Sequence, residues 1–137
     1  MRLLTKLYTA AGVEQTPNDA GTFTLSDATV YYAEFMDDIP DRVGLSVHWE
    51  YNAALVAAIT VEASNRPSDG PFAVTSYAAV GSGWATTSAP TVSPAASAGE
   101  TVAHYADMMS RRLRAKIDVT TGGTLRGTEH SKARGAR

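Results

Sequence analysis

The chain has 137 residues, 44% hydrophobic and 19% charged, which suits one domain with a real core and argues against a disordered chain. It has no cysteine, so disulfide frameworks, thiol catalysis and cysteine-ligated zinc are excluded. The net charge of −2 hides an asymmetry: residues 1–110 hold 4 Lys/Arg against 12 Asp/Glu, and residues 111–137 hold 8 against 2, an acidic body with a basic end suited to self-pairing or to an acidic partner.

Met1 to Tyr8 opens like a secretion signal, but Lys6 breaks the apolar run and Glu14, Gln15 and Asn18 follow. The segment is read as an N-terminal arm, residues 1–20, of a chain made in a cytoplasm. No run reaches the roughly 18 apolar residues of a membrane span. Turn residues at Pro17-Asn18-Asp19 and Ser26-Asp27 flank short strands at residues 22–25 and 30–35, the second with Tyr31, Ala33 and Phe35 inward. Asp37, Asp38 and Asp41 gather around Pro40. Paired carboxylates can do acid–base work when burial separates them, yet in a turn Asp more often serves local hydrogen bonds. A calcium site is the functional alternative, although regular oxygen-ligand spacing is missing.

The clearest signal has period two. Val43, Leu45, Val47, Trp49 and Tyr51 alternate with Arg42, Gly44, Ser46, His48, Glu50 and Asn52, the pattern of a strand with one dry and one wet face. Leu55, Ala57, Ile59, Val61 and Ala63 form the apolar set of the next strand, where β-branched Ile59-Thr60-Val61 argues against a helix. Asn52-Ala53-Ala54 would join the two as a hairpin. A weaker strand is read at residues 72–77. Residues 79–99 are small, Gly-rich or Pro-broken and read as a long surface loop. Within it, Trp84 is either a recognition aromatic or a lid folded on the core.

Val102, Tyr105, Ala106 and Met109 match a helical stripe, so a helical turn is possible over 100–110. Leu113, Ala115, Ile117 and Val119 then alternate with Arg112, Arg114, Lys116, Asp118 and Thr120. Thr121-Gly122-Gly123-Thr124 reads as a hairpin turn that uses glycine at positive φ, with residues 125–128 returning. Residues 129–137 form a basic tail with Lys132, Arg134 and Arg137. The whole is an all-β chain: an antiparallel, jelly-roll-like β-sandwich of about eight strands over residues 21–128.

Catalytic motifs are missing. There is no Gly-x-Ser-x-Gly elbow, no phosphate loop and no His-Glu-x-x-His. His48 and Glu50 share the wet face of one strand, while His104 and His130 are distant in sequence. Two local ligands fall short of a zinc site, so no metal or cofactor is expected. Arg112, Arg114 and Lys116 line one strand face, with Arg126 opposite on the expected hairpin. Like charges on one face call for compensation: solvent with Asp118 and Glu129 nearby, or acidic residues of a neighbouring subunit. Nucleic acid is disfavoured by the acidic balance and the lack of interleaved aromatics.

Ile59-Thr60-Val61-Glu62-Ala63-Ser64-Asn65 with Asp69-Gly70, Trp84-Ala85-Thr86, and the run from Arg111 to Gly127 together resemble small β-sandwich proteins of tailed-phage virions. The resemblance implies a non-enzymatic structural protein: a head decoration, or a neck or tail accessory, that multimerises and docks on major capsid or neck proteins. It implies interfaces at Trp84, Arg112, Arg114, Lys116, Arg126, Lys132, Arg134 and Arg137, and a place in the virion. The same strand–turn–Trp pattern resembles discoidin-like carbohydrate-binding sandwiches, which makes a carbohydrate-binding module the alternative. A small hydrolase on the same scaffold is the third reading.

Overall fold

Alternation of large apolar and polar residues dictates strands, and strands are what form. The computed structural model describes residues 2–35, 42–64, 85–86, 91–106 and 112–133. The chain runs β1 (Arg2–Leu3), β2 (Leu7–Thr9), β3 (Glu14–Gln15), β4 (Phe23–Leu25), β5 (Val30–Glu34), β6 (Arg42–Tyr51), β7 (Val56–Ser64), β8 (Ala85–Thr86), β9 (Gly99–Ala106), β10 (Arg112–Thr121) and β11 (Gly123–Ala133). No helix occurs among the described residues, so none is long and apolar enough to cross a membrane.

The strands make two antiparallel sheets. In sheet A the order is β1-β11-β6-β9, with β4 also paired to β11; in sheet B it is β3-β2-β5-β10-β7-β8. The inward residues are those the alternation selects. Leu45, Val47 and Trp49 of β6, Leu55 and the odd-numbered residues Ala57, Ile59 and Val61 of β7, and Leu113, Ala115, Ile117 and Val119 of β10 are all buried. Tyr31, Ala33 and Phe35 join them. Each large side chain so removed from water contributes on the order of 1.5–3 kcal/mol before the entropy of ordering is set against it. The antiparallel β-sandwich expected from the sequence is therefore the fold.

Several local expectations are overturned. Residues 1–20 are not an arm: β1 pairs with β11 and β2 with β5, and Leu4 and Leu7 belong to the core. These side chains are apolar at the right spacing to close the sandwich, so burial outweighs the freedom of a terminus. The basic tail is shortened, because β11 continues through Ala133. Residues 99–106 form β9 instead of a helical turn, since β6 offers them a ladder from Gly44 to Tyr51. Part of the supposed surface loop also lies down on the sheet. Val92 exchanges backbone hydrogen bonds with Ile59 at 2.8 and 3.0 Å, and is buried. The weak strand at 72–77 and the Asp37, Asp38 and Asp41 cluster lie outside the described residues.

Both expected hairpins are arches. β6 and β7 lie in different sheets, as do β10 and β11. Their connections cross the sandwich, so their apolar sides meet face to face, not side by side. The second arch needs glycine for room, not for a left-handed backbone. A Cβ on Gly122 would sit 2.3 Å from the Leu25 carbonyl oxygen. The Gly122 N–H instead donates to Asp27 Oδ1 at 2.5 Å. Asn52 of the first arch receives the Thr124 N–H at 3.0 Å, which ties the two arches together.

Candidate functional site

The basic strand is closed by the chain itself. Arg114 on β10 stands across from Glu34 on β5 and Glu62 on β7. Its Nε and Nη2 lie 2.8 and 2.7 Å from Glu62 Oε1, and its guanidinium carbon sits 4.1 Å above the Tyr32 ring. At 2% exposure it presents nothing to a second subunit. The acidic partner that the sequence called for is supplied from within. Lys116 is half-buried between Tyr32 and Thr60 in register. Arg112 stands opposite Ser64, and Lys132 opposite Gly44. Trp84, Arg134 and Arg137 lie outside the described residues.

Arg126 separates from this set because β11 belongs to the other sheet. On the outer face of sheet A, two rows cross β11, β6 and β9 in register, Arg126–Glu50–Glu100 and Thr128–His48–Val102. In the next row of the ladder Ser46 pairs with His130 on β11 and with His104 on β9, so backbone register sets the three histidine positions on neighbouring rows. Among the described residues no three His, Cys, Asp or Glu side chains are placed to hold a metal ion.

The first row floors an open groove of about 510 Å³ at the end of sheet A. Its walls are the end of β6 (Glu50, Tyr51, then Asn52), the start of β9 with Ala98 before it, Thr124 and Arg126 of β11, and Thr22. Arg126 Nη1 donates to Glu50 Oε1 at 2.7 Å, and its Nε donates to the Ala20 carbonyl at 2.9 Å. His48 lies 3.3 Å from Glu100 Oε2 and 3.8 Å from Glu50 Oε1, so the expected His48–Glu50 neighbours are joined by a carboxylate from β9.

The aromatic wall, Tyr51, belongs to the inward set of β6, packs partly against the core and reaches the groove at the sheet's end. A Cβ at Gly99 would lie 3.2 Å from the Tyr51 ring, so glycine lets that ring lie close along the β9 backbone. The Tyr51 hydroxyl is 3.1 Å from Thr101 Oγ1. Asn52 is fixed by its bond from Thr124. The groove is therefore a largely preformed set of a phenol ring, an amide, hydroxyls, a guanidinium and two carboxylates. Sequence reading paired His48 with Glu50 and singled out Arg126, though beside the wrong strand, and did not single out Tyr51, Asn52, Glu100 or Thr124 for a site. The signal available for them was weak: polar residues at the ends of separate strands.

No family model matches the chain, and no curated protein matches it. Among solved structures it is similar in fold to one titled "CBM4 structure and function", at 12% identity and TM-score 0.45 over 81% of this chain and 70% of that one. It is also similar to "Carbohydrate binding module family29", at 9% identity and TM-score 0.47 over 96% and 88%. The virion structural role expected from the sequence is corrected here. Arg114, central to the supposed docking strand, is buried against the chain's own Glu62, and neither of these two structures is titled as a virion protein.

Proposed function

We propose that the chain is a non-catalytic carbohydrate-binding module that holds its ligand in the groove at the end of sheet A. A sugar ring combines dense hydroxyls with an apolar C–H face. The groove offers a match for both: Glu50, Glu100, Asn52 and Arg126 for hydroxyls, and the ring of Tyr51 for the C–H face. Charge-assisted bonds from carboxylates and guanidinium are the stronger kind. Arg126 is already tied to Glu50, so both groups are held in position before a ligand arrives and little ordering cost remains. The observation that carries the proposal is this convergence of Tyr51, Asn52, Glu50, Glu100 and Arg126 from three strands onto one open groove.

The test is isothermal titration of the whole chain with soluble polysaccharides and oligosaccharides. Binding is expected for at least one glycan, with Tyr51→Ala and Arg126→Ala each weakening it about tenfold or more, as losing a charged hydrogen bond or an aromatic contact does. Glycan binding unchanged in both variants would place the ligand elsewhere and defeat the proposal.

A further inference from the structure

We infer that the groove sorts glycans by charge, accepting neutral hydroxyl-bearing chains and refusing uronate-bearing ones. This deepens the carbohydrate-binding proposal and rests on it. Among the described residues that line the groove Arg126 is the one cation, and its charge already faces Glu50, to which Nη1 donates, while Nε donates to the Ala20 carbonyl. Glu100 stands in the same row with its side chain 70% exposed. Its charge faces the groove, and among the described residues the His48 ring lies beside it at 3.3 Å. Among the described residues the lining carries two carboxylates against one guanidinium.

Arg126 keeps further N–H groups for a uronate, but its charge is already balanced by Glu50, so an incoming anion shares that one guanidinium with Glu50 and meets the like charge of Glu100. A neutral sugar meets no such repulsion. Its hydroxyls donate to Glu50 and Glu100 and leave the Arg126–Glu50 pair intact. Asn52 adds direction: its Oδ1 accepts from Thr124 N–H, so its NH₂ is the end offered to a hydroxyl oxygen. Among the described residues the groove is thus rich in acceptors and short of uncompensated positive charge.

The experiment titrates the whole chain at neutral pH and low salt with neutral gluco-, manno- and xylo-oligosaccharides and with oligogalacturonate. A neutral ligand is expected to bind, with oligogalacturonate at least about tenfold weaker, a difference that shrinks as salt screens the charges. Glu100→Gln is expected to narrow the gap, and Glu100→Lys to narrow it further. Circular dichroism of both variants checks that this exposed substitution leaves the fold unchanged. Oligogalacturonate binding as tightly as the neutral ligand, or a gap unmoved by both Glu100 variants, overturns charge sorting while leaving carbohydrate binding standing. A wild-type chain that binds no glycan at all overturns the parent proposal and this one with it.

Discussion

Two ion pairs of the same length, on opposite faces of the sandwich, show how burial decides what a charge is for. Arg114–Glu62 on sheet B and Arg126–Glu50 on sheet A both close at 2.7 Å. The side chains of the first are 3% and 12% exposed, and those of the second 34% and 36%. Sealed between strands and stacked on Tyr32, the first pair has no route to a ligand, and its groups must satisfy each other. The second has its guanidinium and carboxylate fixed yet open to solvent, as recognition requires. One face therefore uses charge to hold strands together, and the other uses it to present groups.

This contrast is sharpest under substitution. Arg114→Ala strands Glu62 in a nearly dry site and is expected to cost about 3–5 kcal/mol in urea unfolding. The double change Arg114→Met with Glu62→Leu should recover most of that loss; a single variant as stable as wild type would erase the distinction between the faces. Gly122→Ala forces a methyl against the Leu25 carbonyl and is expected to cost about 1–3 kcal/mol, read as a lowered thermal midpoint with the near-ultraviolet spectrum retained. Arg126→Ala should cost less than about 1 kcal/mol in the same urea assay, because its pair is half-exposed, while glycan binding falls. Stability and binding falling together would show that the open pair is structural after all.

The smallest effect is expected at high pH. Burial, aided by the nearby charges of Glu14 and then Glu34, raises the Tyr8 hydroxyl above its ordinary 10.0. The folded state therefore holds this proton more tightly than the unfolded one. Its contribution is complete below pH 10 and is lost as the pH climbs through the raised value. Tyr8→Phe should flatten the alkaline limb of stability against pH; an unchanged limb would assign that limb to other groups.

How much of this was legible beforehand follows from what each pattern encodes. Period two names a strand and its inner face, so Leu45, Val47, Trp49, Ile59, Val61, Leu113 and Ile117 were identifiable as core. The same pattern is silent on whether consecutive strands pair or oppose, because a hairpin and an arch send the same alternate residues inward. That is why Asn52-Ala53-Ala54 and Gly122-Gly123 read as hairpins and proved to be crossings. From that error followed the misplacement of Arg126 beside Arg112. Glu62, the internal partner of Arg114, and Glu34, its neighbour in register, sat in plain sight, but only strand order brings them to it. The groove was the least legible part, since Tyr51, Glu100 and Thr124 become neighbours only when β6, β9 and β11 align.

The arches have a consequence for how quickly the chain reaches its native state. Contacts across the long strands join residues far apart in sequence: 76 positions separate Arg126 from Glu50, and 52 separate Arg114 from Glu62. Neither sheet can begin as a local hairpin of its longest strands, so distant segments must meet before any of them is rewarded. Closure entropy is spent early, and folding on a timescale of about milliseconds to seconds is expected. A fragment spanning residues 42–64 alone would carry two of the strongest strands and yet hold no native pairing between them.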